Sequence, residues 1–143
     1  MFVRVDDKDN VLRYPYSFGN IRMDFPNVSF PADVNDESIN HLYVYRVQQT
    51  ERPTYDDTVN TLVDSVELVN EKWVQKWIVE NVNEELAILN VRRKRDRLLS
   101  ETDWMALSDN VLTEEWAAYR QTLREVPQQT GFPFEVVWPV KPS

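Results

Sequence analysis

Apolar and polar residues alternate along the first half of the chain and shift to a helical spacing near Asn83. Phe2–Val5 and Val11–Tyr16 flank the turn-rich Asp6-Asp7-Lys8-Asp9-Asn10, which predicts a β-hairpin with a loop of about five residues. The stretch from Ser17 to Asn40 holds Pro26, Pro31 and clustered Asn, Asp and Ser, so it reads as irregular, with a short turn of helix near Asp36–His41. His41–Gln48 alternates Leu42, Val44 and Arg46 against Tyr43, Tyr45 and Val47, the pattern of a strand rich in aromatic and β-branched residues. Beyond Arg52-Pro53 a second hairpin follows: Thr58–Val69, a turn at Asn70-Glu71-Lys72, then Trp73–Val82. Val59, Leu62, Val63, Val66, Leu68 and Val69 also fit a helical period, but β-branched content favours the strand.

From Asn83 the texture is helical. Asn83 is a capping residue followed by Glu84 and Glu85, and no Pro or Gly interrupts the chain before Pro127. Ala87, Ile88, Val91, Leu98 and Leu99 share one stripe of the first helix, which runs to about Glu101. A second helix starts at Thr113, carries Glu114 and Glu115 in its first turn, and places Trp116, Tyr119, Leu123 and Val126 on one side before Pro127 stops it. The connection Asp103–Leu112 is too long for a minimal helical hairpin and contains Trp104, Leu107 and Leu112, read as anchors. Gln128–Ser143, with Pro133, Pro139, Pro142 and Phe132, Phe134 and Trp138, predicts an extended tail near polyproline geometry. The expected class is α+β: a β-rich N-terminal domain of hairpins over residues 1–82, then a C-terminal helical hairpin with an extended Pro/Trp tail over residues 83–143.

Composition narrows what such a fold does. At 143 residues with 42% apolar side chains the chain can supply a core, and a formal net charge of −8 disfavours non-specific binding to nucleic acid or to an anionic membrane. Without cysteine there are no disulfides, thiolate metal sites or thiol nucleophiles. The N-terminus lacks the charged and apolar regions of a signal peptide, and no window approaches the ~20 apolar residues that span a bilayer, so the expectation is a soluble protein of the cytoplasm.

Each candidate for chemistry has a plainer reading. Arg92-Arg93-Lys94-Arg95-Asp96-Arg97 spreads its cations around a helix, and with acids nearby it reads as a solvated face rather than a nucleic-acid site. Arg95 projects into the apolar stripe, where it either snorkels, pairs with a carboxylate such as Asp103 or Asp109, or meets an acid on a partner. Asp6, Asp7 and Asp9 lack the spacing, mid-loop Gly and terminal Glu of a calcium loop and read as a turn. His41 is the lone histidine, no nucleophile elbow accompanies it, and Gly19 and Gly131 are too few for a phosphate loop. No pair among the 24 acids is marked as a glycosidase pair. The reading is therefore not an enzyme and no cofactor. Trp73 and Trp77, on one strand face, read as cover for a core rather than a sugar platform. Trp138 is either folded back over the helices or offered to a partner.

Taken in order, Arg97-Leu98-Leu99-Ser100-Glu101-Thr102-Asp103-Trp104, Leu112-Thr113-Glu114-Glu115, Trp116-Ala117-Ala118-Tyr119-Arg120-Gln121-Thr122-Leu123-Arg124, Phe132-Pro133 and Trp138-Pro139 resemble the bacteriophage tail assembly chaperone family over about the last third of the chain. One departure is a second helix about one turn (roughly four residues) shorter than is usual in the family. More loosely, Tyr14-Pro15-Tyr16-Ser17, Asn27–Pro31 and Trp73–Trp77 resemble the leading half of some phage proteins that carry this module. The resemblance implies a tail fibre assembly protein that binds a tail fibre or other tail protein in the host cytoplasm. The alternative is a permanent structural subunit of the tail or baseplate, resident in the virion. A two-helix unit of this size lacks an enclosed core and should pack on the β part, on a copy of itself, or on a partner. The residues expected at a partner contact are Trp104, Trp116, Tyr119, Leu123 and Trp138, with Arg120 and Arg124 as rim charges.

Overall fold

A computed structural model describes all residues, Met1–Ser143. It is α+β, with the strands leading and the long helices in the C-terminal half. Chain contacts divide it into two compact units, one of residues 1–54 and 62–78 and one of residues 55–61 and 79–143.

Five strands, β1 (Phe2–Val5), β2 (Val11–Tyr16), β3 (Val44–Gln48), β4 (Asn60–Val69) and β5 (Lys72–Asn81), form one sheet in the order β2-β1-β3-β5-β4. β1 runs antiparallel to both β2 and β3, whereas β3 and β5 are parallel. Both predicted hairpins are present, and their turns explain why. In the first, the Asp6 carboxylate accepts hydrogen bonds from the backbone N–H groups of Lys8 and Asn10 and from the Asn10 side chain, each at 2.9 Å. These bonds, the Asn10 side chain first, hold the Asp6 pKa below the usual carboxylate value, and they assign the acid to a turn. In the second, Asn70 and Glu71 both have positive φ (47° and 62°), as a two-residue hairpin loop matched to the twist of its strands requires. That turn settles the ambiguous Asn60–Val69 segment as a strand.

The region between the hairpins is more regular than its composition predicts. α1 (Phe18–Asp24) is capped by a reciprocal pair: Ser17 Oγ accepts from the Asn20 N–H at 3.1 Å and Asn20 Oδ1 accepts from the Ser17 N–H at 3.0 Å. With Ile21 its only buried residue, the helix is too short to show a period. α2 (Asp36–Asn40) lies where a turn of helix was expected, capped by Asn35. β3 begins later than the alternation suggests, because Tyr43 takes a left-handed conformation (φ 58°).

The period-two geometry of β1 separates the core of this unit into two clusters. Phe2 joins Tyr16, Ile21, Ile39 and Val44, flanked by Phe18, Phe25, Phe30, Val34 and Leu42. Val3 and Val5 join Val47 and Trp73, flanked by Tyr14, Tyr45 and Val66. Trp73 thus fills a core as expected; Trp77 is half-buried, with Arg52 5.9 Å from its ring centroid. β2 and β4 are the sheet edges, yet the Tyr14 hydroxyl donates to Asp64 Oδ1 at 2.7 Å, and Gln75 Nε2 donates to the same oxygen at 3.0 Å. The sheet therefore curls until its edges are joined by side chains. A matching clasp links Tyr16 to Asp24 at 2.7 Å, with Arg4 also donating to Asp24 at 2.8 Å.

In the second unit, α3 (Glu84–Ser100) starts at Asn83, whose side chain accepts from the Leu86 N–H at 2.8 Å, and α4 (Glu114–Glu125) starts at Thr113, as the capping pattern predicts. Val59, Ala87, Val91 and Val126 form the core, and Val82, Phe132, Phe134, Val136 and Trp138 pack against it.

The clasps and turns make two predictions. Burial and the neighbouring carboxylates push Tyr14 and Tyr16 up to about 12. Their folded pKa values lie above the unfolded one, so the stability tied to the neutral hydroxyls is intact below pH ~10 and is lost as pH rises through ~12. Phenolate absorbance should show a late-titrating class of tyrosines, and Tyr16→Phe should remove one member of it. Glu71→Gly should relieve a side chain in left-handed backbone and raise unfolding stability by up to about 1 kcal/mol in denaturant titration.

Candidate partner-binding surface

α3 ends at Ser100, leaving carbonyls that its own backbone does not satisfy. Arg120, on α4, answers that need. Its Nη1 donates to the Leu99 carbonyl at 3.0 Å and to Thr102 Oγ1 at 2.5 Å, while Nη2 donates to Asp103 Oδ1 at 2.9 Å. Thr102 in turn donates to the Leu99 carbonyl at 3.0 Å. The planar guanidinium suits this task, since its fork reaches several acceptors at once and its charge complements the negative end of a helix dipole. Arg120 is 6% exposed and Thr102 1%, so the cation and the hydroxyl are internal while Asp103 reaches them from the surface, and no buried side-chain polar atom lacks a partner. Arg120 is thus not a rim charge: it ties the end of α3 to α4.

The connection that leaves this tie carries its apolar residues outward. A 3-10 turn covers Asp103–Ala106. Trp104 is 56% exposed, Leu107 57% and Val111 93%. Trp104 and Leu107 are therefore not anchors, because Arg120 and Thr102 already hold the loop where it leaves α3. Internal hydrogen bonds shape the rest. The Trp104 indole N–H donates to the Glu101 carbonyl at 3.1 Å, and Asn110 Nδ2 donates to the Trp104 carbonyl at 2.8 Å. Between loop and helix start lies a shallow groove of about 200 Å³, walled by Trp104, Met105, Val111 and Trp116. Trp116 is half-buried, edge-on to Tyr119 with ring centroids 5.8 Å apart.

The expected contact residues fall into distinct places. Tyr119, Arg120 and Leu123 are buried in their own unit, and burial raises the Tyr119 pKa. Trp104 and Arg124 are exposed, and Trp116 and Trp138 are half-buried. Trp138 is folded back on the core beside Val91, with Lys94 Nζ 4.5 Å from its ring centroid. Gln129 secures that arrangement by donating to the Val137 carbonyl at 2.9 Å and accepting from its N–H at 2.8 Å. Gly131 permits the preceding turn, since a Cβ there would lie 2.3 Å from the Glu135 carbonyl oxygen. Arg95 does not reach Asp103 or Asp109. It pairs with its chain neighbour Asp96, through Nε at 2.9 Å and Nη2 at 2.6 Å, and Asp103 pairs with Arg120. Arg92, Arg93 and Arg97 are exposed. Trp104 was expected at a partner contact, but the exposure of Leu107 and Val111 beside it was not; the available signal was Trp104-Met105-Ala106-Leu107 lying outside either helical stripe.

No other region shows converging chemistry. No three His, Asp or Glu side chains converge as a metal-binding group, and the His41 ring nitrogen faces only the Glu37 carbonyl, at 3.3 Å. A recess of about 390 Å³ in the N-terminal unit includes Asp36, Arg46, Lys72 and Trp73, but Arg46 is already bonded to Asp36 and to the Val34 carbonyl.

The arginine tie makes a stability prediction. Arg120→Ala should cost the C-terminal unit about 2–3 kcal/mol, because it removes a charged donor shared by the Leu99 carbonyl, the Thr102 hydroxyl and Asp103 and empties a buried position. Arg124→Ala, on the exposed side of the same helix, should change stability by less than about 0.5 kcal/mol. Denaturant unfolding of both variants measures the contrast.

No curated protein and no solved structure matches the chain. No helix is long and apolar enough to cross a membrane. The family model described as phage tail assembly chaperone protein matches residues 88–143, which take in most of α3, the exposed loop, α4 and the folded-back tail, so the part of the chain that carries the aromatic groove is similar to phage tail assembly chaperones.

Proposed function

We propose that this protein is a tail assembly chaperone of a bacteriophage, without catalytic activity of its own. In the host cytoplasm it binds a tail protein, in our reading a tail fibre protein, while the virion is being built. The observation that carries this reading is the coincidence of the family match over residues 88–143 with an exposed aromatic loop in the same segment. Trp104 is the centre of the contact, Trp116 forms the groove wall, and Arg124 and Trp138 lie among the exposed and half-exposed side chains of the unit. Tyr119, Arg120 and Leu123 support that surface from within.

Magnitudes favour reversible rather than permanent association. Covering one large aromatic side chain removes roughly 150–250 Å² from water, on the order of 4–6 kcal/mol at ~25 cal/mol/Å² before entropic costs. Ordering costs on binding offset much of that gain, so one half-exposed tryptophan and a few aliphatic neighbours hold a partner without locking it. A chaperone that covers apolar surface on an unassembled fibre lowers the population of aggregation-prone intermediates by mass action.

Co-expression with the tail genes tests the reading. The soluble yield of the tail fibre protein should rise when the chain is present, and Trp104→Ala should weaken its retention about tenfold, an effect of about 1.4 kcal/mol, while leaving the circular dichroism spectrum unchanged. Unchanged fibre solubility when the chain is omitted would refute it. Mass spectrometry of purified particles should find the chain absent; stoichiometric presence would instead make it a permanent joint of the tail.

A further inference from the structure

The groove at Trp104 has an electrostatic character that specifies the chemistry of its occupant. Residues 101–116 contain Glu101, Asp103, Asp109, Glu114 and Glu115 and no Lys or Arg. Two of these acids are already engaged: Asp103 with Arg120 at 2.9 Å, and Glu101 with Arg97 at 3.9 Å and Lys141 at 3.7 Å. Asp109, Glu114 and Glu115 are exposed and have no cation within ion-pair distance. Asp109 precedes the groove residues Asn110 and Val111, and Glu114 and Glu115 lie between the groove residues Thr113 and Trp116. The groove residues Trp104, Met105, Val111 and Trp116 thus have, as chain neighbours, exposed acids without an ion-pair partner.

The first turn of α4 accounts for part of this, because carboxylates at a helix N-terminus are favoured by the dipole. It does not account for the exposed apolar residues, nor for Asp109, which precedes the helix. A nucleic-acid or anionic-lipid partner would be repelled here. A purely apolar partner would leave the acids facing low-dielectric surface without compensation.

The geometry points to a polypeptide segment that combines aromatic or aliphatic side chains with Lys or Arg, its apolar side chains covering Trp104 and Val111 and its cations meeting Asp109, Glu114 and Glu115. This rests on the chaperone reading and names the chemistry of the tail protein segment that the chaperone grips. Tryptophan indole faces also attract cations, so Trp104 and Trp116 serve both halves of such a segment. The complementary charges speed encounter and select against acidic partners, while the apolar contacts supply the residence time.

Fluorescence anisotropy of labelled synthetic peptides against the full chain tests this. One peptide alternates Leu and Phe with Lys and Arg, a second replaces the cations by Glu, and a third keeps the cations but replaces Leu and Phe by Ser. Only the first should bind with measurable affinity. Raising salt from ~50 to ~500 mM should weaken it about fivefold or more, as screening of exposed charges requires. Trp104→Ala, and separately the triple change Asp109→Asn, Glu114→Gln, Glu115→Gln, should each weaken it about tenfold. Should the triple variant prove misfolded by thermal melting, the salt series on the unaltered chain still decides the matter. Equal binding of the Glu peptide, or affinity insensitive to salt, overturns the inference. Co-purification of the fibre protein separates the two levels. If the unaltered chain retains the fibre protein and the triple variant retains it equally, the charge assignment fails and the chaperone reading stands. If the unaltered chain retains no fibre protein, the chaperone reading itself fails.

Discussion

The C-terminal unit depends on one buried cation. Arg120 lies almost wholly out of water and donates to a helix-end carbonyl, a threonine hydroxyl and a carboxylate. Moving a guanidinium into such a place costs several kcal/mol, and three charge-assisted hydrogen bonds, one of them to a carboxylate, offset that cost. The result is a rigid join between the end of α3 and the middle of α4. Because the join satisfies the backbone where the connection begins, the connection needs no apolar anchor, and Trp104, Leu107 and Val111 are left facing solvent. An exposed, internally hydrogen-bonded aromatic loop held at its base has little conformational entropy left to lose in the contact proposed for it.

The tail settles the rest of the same unit. A pair of helices with one apolar stripe has surface it cannot cover alone, and here Phe132, Phe134, Val136 and Trp138 cover it. The Gln129–Val137 pair and the close approach of Gly131 to Glu135 hold the chain in the path that brings those rings back. The stripe therefore serves the chain's own core, while Trp104, Leu107 and Val111 of the loop stay exposed.

In the N-terminal unit a different device does a comparable job. Free sheet edges are open to unwanted pairing, and one edge strand, β2, carries Pro15, which has no N–H to offer. The Tyr14–Asp64 hydrogen bond then links the two edges through side chains. Burial of Val3, Val5, Val47 and Trp73 on one side and of Phe2, Tyr16, Ile21, Ile39 and Val44 on the other gives the short sheet cores on both faces.

Much of this was legible in the chain. Strand alternation, the capping residues Asn83 and Thr113, the stop at Pro127 and both hairpins follow from local rules, because capping, turn geometry and periodicity act between residues a few positions apart. α1 was missed, since its cap is a serine–asparagine pair and a single buried isoleucine leaves no period to detect. The roles of particular side chains could not be read in the same way. Arg120 looks like a surface charge until α3 and α4 are packed and Leu99, Thr102 and Asp103 converge on it; Trp104 looks like an anchor until that convergence makes an anchor unnecessary. Local pattern thus locates most strands and the two long helices with their caps, while α1 and the start of β3 escape it. Which aromatic and charged residues lie inside and which face outward is a matter of packing, because burial is set by contacts between residues tens of positions apart, which no local pattern encodes.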